Sequence, residues 1–178
     1  FIPGQFLQVH FEYDDGKPTK RSYTVATVAN DPYNQEAHIE IAVSYVDGGA
    51  ATKLLSALAP GETVQASGPY GRFVLFDTDR NARYLLVATG TGVTPYRAML
   101  PELLRHHRER GIEVVLLQGA RSAVDLLYAN EFDAFADAQP WFRYVPCLSR
   151  EARATARGDD RSGYVQQAFP EFTPDAAR

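Results

Sequence analysis

The sequence predicts a two-domain protein, an antiparallel β-barrel followed by an α/β unit built on a parallel sheet. Three features carry this reading. Ile39, Ile41, Val43 and Tyr45 alternate with Glu40, Ala42 and Ser44, the period of a half-buried strand. Turn residues cut the first part of the chain into short pieces at the spacing of a small barrel. Further on, continuous apolar strands alternate with helical periods, which is the grammar of β-α-β units.

In the first unit, residues 1–76, turns are expected at Asp14-Asp15-Gly16, Asn30-Asp31-Pro32 and Pro60-Gly61, with one helical insert at about Ala51 to Leu58. Residues 77–83 are polar and lack an apolar period, so they read as a linker. The second unit, residues 84–178, opens with the apolar strand Tyr84 to Ala88. A glycine turn follows, then a helix carrying Met99, Leu100, Leu103 and Leu104, then a strand from Ile112 to Leu117. Pro101 implies a kink or a late helix start. Arg105, Arg108 and Arg110 crowd the helix end before Gly111, where positive charge meets the negative end of the dipole and glycine permits a left-handed cap. A helix at about Glu131 to Ala138, with Asn130 and Asp133 at its entry, leads to the strand Phe142 to Leu148. The arginine-rich stretch Arg150 to Arg161 is expected as an exposed loop.

Composition narrows the function classes. The 178 residues are 45% hydrophobic with a formal net charge of -4, an ordinary globular balance with no nucleic-acid footprint. One cysteine, Cys147, excludes an internal disulfide, a four-thiolate iron–sulfur site and a Cys-rich zinc site, and fits a reducing, cytoplasmic setting. On an apolar strand it reads as a small buried hydrophobe. No apolar stretch is long enough for a membrane span. The histidines His10, His38, His106 and His107 show no ligand spacing, so no metal is expected. The opening Phe1-Ile2-Pro3-Gly4 reads as an internal cut and not as a signal peptide.

Gly90-Thr91-Gly92-Val93-Thr94-Pro95 stands between a strand and a helix, where glycines allow close approach of a dinucleotide and free amides at the helix start attract phosphate. Without a third glycine at Rossmann spacing, a purely structural turn stays open. Other short patterns accompany it: Pro3-Gly4-Gln5-Phe6, Arg21-Ser22-Tyr23-Thr24, Gly49-Ala50-Ala51-Thr52, and Gly68-Pro69-Tyr70-Gly71-Arg72-Phe73. Taken in this order and spacing, across nearly the whole chain, the set resembles the ferredoxin–NADP reductase family.

The resemblance implies a flavin-binding barrel ahead of a nucleotide-binding α/β domain, with FAD and NADP(H) as cofactors. By it, Arg21, Ser22, Tyr23 and Thr24 contact the flavin, and Gly49, Ala50, Ala51 and Thr52 meet its pyrophosphate at a helix start. Chemistry agrees: Tyr23 can stack on an isoalloxazine, Thr24 can hydrogen-bond its edge, and the planar fork of Arg21 suits a pyrophosphate. A cross-strand Tyr–Thr pair, a surface ion pair and a simple N-cap are the structural alternatives. Gly68, Pro69 and Gly71 read mainly as a shaped turn. For the nucleotide, the resemblance implicates Gly90, Thr91, Gly92, Thr94 and Pro95. Arg121, Ser149, Arg150, Arg161 and Tyr164 are candidates for the 2'-phosphate and adenine, favouring NADPH over NADH. Arg150 and Arg161 as solvated loop charges is the alternative.

The family's Cys-Gly-x-Pro strand and the strand before Pro3 are both expected to lie outside this sequence. The activity implied is hydride transfer between NADPH and FAD and single-electron exchange with ferredoxin or flavodoxin, with Tyr23 and Thr24 positioning the flavin. The rivals are an NADH-using oxygenase reductase component or free-flavin reductase, and a non-catalytic flavin- or nucleotide-binding regulatory subunit.

Overall fold

A computed structural model describes residues 1–29 and 38–173, so the turn expected at Asn30-Asp31-Pro32 lies outside the described residues. In the first half, β1 (Phe6–Glu12) and β2 (Pro18–Thr24) form a hairpin in register from Phe6↔Thr24 to Glu12↔Pro18. Gly16, at φ +77°, closes its turn, and the Asp15 carboxylate accepts from the Lys17 amide at 3.1 Å. On the other side of β1 runs β3 (Gln65–Tyr70), giving an antiparallel sheet of order β2-β1-β3. The helical insert is α1 (Ala50–Ala57).

The strand expected over Ile39 to Tyr45 does not form a regular ladder. Val25 and Ile41 make one antiparallel bridge, and the Ala26 amide donates to the Glu40 carbonyl at 2.7 Å. The Glu40 amide then donates to the Thr27 hydroxyl at 2.7 Å, so a side chain takes the place of the next ladder carbonyl and pairing stops.

The second half is a parallel sheet of order β4-β5-β6-β7, made of β4 (Arg83–Thr89), β5 (Glu113–Ala120), β6 (Phe142–Leu148) and the short β7 (Arg161–Ser162). Its helices are α2 (Thr94–Ala98), α3 (Leu100–Arg110), α4 (Ala129–Ala138) and α5 (Val165–Phe172). Val114 and Leu116 of β5 pack with Leu103, Phe132 and Tyr144 on one face, while Leu117 packs with Val145, Cys147 and Val165 on the other. Burial on both faces explains why these strands read as continuous apolar runs. The helix breaks at Met99, and Pro101 sits in the first turn of α3, where its missing N–H costs nothing. Gly111 caps α3 at φ +67°, its amide donating to the His107 carbonyl at 2.7 Å.

Three sequence expectations need correction here. α4 starts at Ala129 behind Tyr128, which holds φ +61°, so Asn130 lies inside the first turn and does not cap it. The Arg150–Arg161 stretch is not simply an exposed loop. The Arg153 side chain is only 12% exposed and reaches Asp133 at 2.5 Å and Asp160 at 2.8 Å, while Arg157 pairs with Asp137 one turn further along α4. The carboxylates that bury this arginine stand on a distant helix, where local composition does not show them. His106 also has carboxylate neighbours: Glu102, four residues earlier on α3, and Asp77 bring ligand-type atoms within 4.8 Å of one another. The Arg105 guanidinium already occupies this group, 2.7 Å from Asp77 and 3.0 Å from the His106 ring, and Arg110 contacts the other ring nitrogen. Burial and these two cations hold the His106 pKa down.

The two halves meet closely. A Cβ on Gly4, which sits at φ +99°, would lie 1.8 Å from the Phe73 carbonyl oxygen and 2.6 Å from the Met99 methyl, a physical reason for glycine after Pro3. The Phe73 and Tyr96 rings pack at 5.9 Å, tilted by 60°, across the same junction. Among the described residues, no helix is long and apolar enough to cross a membrane.

Candidate functional site

A cavity of about 640 Å³ opens at the carboxyl ends of β4, β5 and β6, where an open parallel sheet places its ligands. Its floor is backbone-rich: Thr89, Gly90 and Thr91 after β4, Gly119 to Arg121 at the end of β5, and Cys147 and Ser149 from β6 onward. Tyr164 and the start of α5 close one side, Asp125 and Leu127 another, and Val43 and Ser44 of the first half form the remaining wall.

Each floor element has a local cause. Gly90, at φ +53°, turns the chain out of β4 into a short 3-10 segment, Gly90–Val93, and its Cα faces open space. Gly119 is wedged between Thr89 and Val165, where a Cβ would meet both at 3.0 Å. Thr94 and Pro95 are buried and stand outside the cavity lining; the Thr94 hydroxyl donates to the Thr91 carbonyl at 2.6 Å and holds the turn closed. Gly92 is likewise absent from the lining, so these three residues shape the loop that Gly90 and Thr91 present.

Of the candidates for the adenosine end, the cavity brings together Arg121, Ser149 and Tyr164. Tyr164 is 67% exposed at the mouth, a free aromatic face for a base. Arg150 and Arg161 are not brought in. The Arg161 guanidinium is bound to Glu171 at 2.8 Å and to the Asp159 carbonyl at 3.0 Å, and lies over the Phe172 ring. The site also contains residues that the sequence reading passed over. Asp125 accepts from both the amide and the hydroxyl of Ser122, at 3.1 and 2.9 Å. The Ser-x-x-Asp pattern at 122–125 is a legible capping signal that would have marked this turn. Cys147 is 1% exposed, and burial pushes its thiol up to about 11, so it stays protonated.

The flavin candidates lie on the first half. Regular β1–β2 pairing puts Arg21 and Tyr23 on one face of β2, with Ser22 on the other. Arg21 donates to the Tyr13 hydroxyl at 3.2 Å and to the Lys20 carbonyl at 2.9 Å, while Tyr23 and Thr24 are half-buried. At α1, Gly49 is the N-cap with no side chain over the helix end, so the first-turn amides of Ala50, Ala51 and Thr52 are unblocked. Thr52 is not a simple cap: its hydroxyl accepts from the Val46 amide at 2.8 Å, clasping the loop that leads into the helix. The uncapped start of α1, which packs on β1, offers amides suited to a diphosphate, the neighbouring strand β2 offers Arg, Tyr and Thr, and the glycine-floored cavity fits a dinucleotide.

An antiparallel sheet with an open helix start, joined to a parallel sheet with a cavity at its carboxyl edge, is an architecture suited to holding two nucleotide cofactors. The chain belongs to the ferredoxin–NADP reductase family of FAD- and NAD(P)-binding oxidoreductases. Residues 1–75 match the oxidoreductase FAD-binding domain and residues 86–176 the oxidoreductase NAD-binding domain. Ferredoxin–NADP reductase B of Sorangium cellulosum is 36% identical over 172 residues, covering 97% of this chain and 66% of that protein. The aromatic O-demethylase reductase subunit of an Amycolatopsis species is 34% identical, covering 98% of this chain and 49% of that protein. Among solved structures, the Amycolatopsis cytochrome P450 reductase GcoB superposes with a TM-score of 0.78 at 34% identity, over 98% of this chain and 50% of its own. The chain thus spans about half to two thirds of the length of these relatives.

Proposed function

We propose that the protein containing this chain is an NADPH-linked flavin reductase that passes electrons on to a ferredoxin- or flavodoxin-type carrier. In this reading residues 1–76 hold FAD, residues 84–178 hold the nucleotide, and 77–83 join them. The observation that carries it is the cavity in which the Gly90–Thr91 loop, Arg121 and Ser149 face Val43 and Ser44 of the flavin half.

Arg21, Ser22, Tyr23, Thr24 and the α1 amides of residues 50–52 would hold FAD, which would supply the chemistry that links a two-electron donor to one-electron acceptors. The chain itself binds and orients. Gly90 and Thr91 let a pyrophosphate approach the backbone, Arg121 and Ser149 offer a guanidinium and a hydroxyl to a 2'-phosphate, and Tyr164 offers a ring to adenine. Thr94 and Pro95 lock the loop, and Arg150 stands next to Ser149 as a further charge for the same phosphate. Cys147, a protonated thiol in the cavity floor, acts as packing. A cytoplasmic setting is part of this reading, supported by a single reduced cysteine and a nicotinamide reductant.

A second reading, an NADH-using reductase component of an oxygenase, is favoured by two observations. Arg161 is engaged away from the cavity, and Asp125 places a carboxylate in the lining, the residue type that suits a free ribose 2'-hydroxyl. The relative named as a reductase subunit of an aromatic O-demethylase points the same way. Stopped-flow bleaching of the flavin, run anaerobically on the full-length protein with NADPH and NADH at matched concentrations, separates them. Faster bleaching by NADPH supports the first reading; faster bleaching by NADH replaces it with the second.

A further inference from the structure

Arg97 of α2 makes contacts that neither cofactor site requires. Its side chain is 14% exposed although it bears a permanent charge. One terminal nitrogen donates to the Ala26 carbonyl at 3.0 Å and to Glu40 Oε2 at 2.8 Å, both in the flavin half. Its Nε donates to Glu131 Oε2 at 2.7 Å on α4, and the guanidinium lies 4.3 Å from the centre of the Tyr128 ring. The Tyr128 hydroxyl completes the circuit by donating to Glu40 Oε1 at 3.4 Å. Tyr128 is the single non-glycine residue at positive φ among those described, a conformation that costs energy and persists only where the surroundings hold it.

The three segments tied by Arg97 each deliver a wall of the cavity. Glu40 precedes Val43 and Ser44 by three and four residues, Tyr128 follows Asp125 and Leu127, and α2 grows out of the Gly90–Thr91 turn. A planar fork with five N–H donors on three nitrogens serves three acceptors at fixed angles in one plane, whereas the three donors of an ammonium sit on one rotating nitrogen and set no such plane. We infer that Arg97 is a positioning residue that sets the flavin half against the nucleotide cavity, and so fixes the approach of nicotinamide to flavin. The inference rests on the reductase reading above.

Where two reacting groups must meet within a fraction of an ångström, a misplacement of about 1 Å lowers the rate on the order of 100-fold. In the full-length protein, Arg97→Met is therefore expected to slow flavin bleaching at saturating nucleotide by about that factor. Nucleotide affinity should change less than about threefold, because Arg121, Ser149 and Tyr164, which Arg97 does not touch, remain in place. Arg97→Lys, which keeps the charge but loses the fork, should retain the fold and still lose most of the rate. Glu40→Gln combined with Arg97→Lys should add little further loss. Bleaching by Arg97→Lys within threefold of wild type, or an equal loss of affinity and rate, would overturn the inference. Amide hydrogen exchange separates this failure from failure of the reductase reading. If the wild-type flavin is not reduced by either nucleotide, the reductase reading falls. The latch then stands if exchange quickens in Arg97→Lys at both 40–44 and 126–131, and falls if either segment is unchanged.

Discussion

The two halves of the chain hold their shape by different means. In the parallel sheet, β4, β5 and β6 are covered on both faces, and Phe132, Leu103, Leu116, Leu117 and Val145 are fully buried. In the antiparallel half, Pro3, Val9, Val25, Ala26 and Ala29 are the buried apolar side chains among the described residues, and turns, glycine contacts and polar clasps such as Val46–Thr52 carry the rest. The cavity at the carboxyl edge thus opens beside a core packed on both faces, whereas the residues expected to meet a flavin lie along an open surface. A half built on core packing should fail by cavity formation, and a half built on backbone contacts should fail by local distortion.

The largest effect is expected at Phe132→Ala, which removes a fully buried ring between β6 and α4 and should cost about 3–5 kcal/mol in chemical denaturation. Val9→Ala, in the smaller core, should cost about 2 kcal/mol at most, and equal losses would erase the contrast. Arg153→Ala comes next. It strands the nearly buried Asp160 and leaves Asp133 only Arg157 at 3.5 Å, and should cost about 3 kcal/mol. Gly4→Ala sharpens the contrast from the other side: its Cβ must displace the Phe73 carbonyl, so about 1–3 kcal/mol should be lost with no core atom removed.

A pH effect also belongs to the parallel sheet. The Cys147 thiol ordinarily titrates at 9.0 and is raised to about 11 by burial. A raised acid favours the protonated folded state, so its contribution is complete below pH 9 and is lost as pH climbs through 11, a total of about 3 kcal/mol at most. Cys147→Ala should flatten that alkaline slope, which a pH series of urea midpoints would show. The smallest expected effect is one of selectivity. Arg121→Ala should weaken NADPH about tenfold relative to NADH, and Arg150→Ala, outside the cavity lining, should weaken it less.

The same division governed what the sequence could reveal. Strands buried on two faces write themselves as unbroken apolar runs, so β4 and β6 were legible to within a residue at each end, while β5, read as ending at Leu117, runs on through Gln118 and Gly119 to Ala120 where the apolar run stops. The alternation at Ile39–Tyr45 promised a strand that one Thr27 side-chain hydrogen bond interrupts, a contact between segments that local periodicity does not encode. The glycine turn was legible as a motif. That Gly90 and Thr91 face the cavity while Thr94 and Pro95 turn inward depends on how the 3-10 segment winds. Likewise Arg121, Ser149, Arg150 and Arg161 look alike as loop residues, and only the pairing of Arg161 with Glu171 withdraws it.

The central claim, that one chain brings nucleotide to flavin, is tested most directly by an anaerobic stoichiometric titration of the full-length protein reconstituted with FAD. The account predicts one FAD per chain, bleached by one equivalent of reduced nicotinamide nucleotide. FAD bound at one per chain and left oxidised by excess NADPH and NADH alike would contradict it.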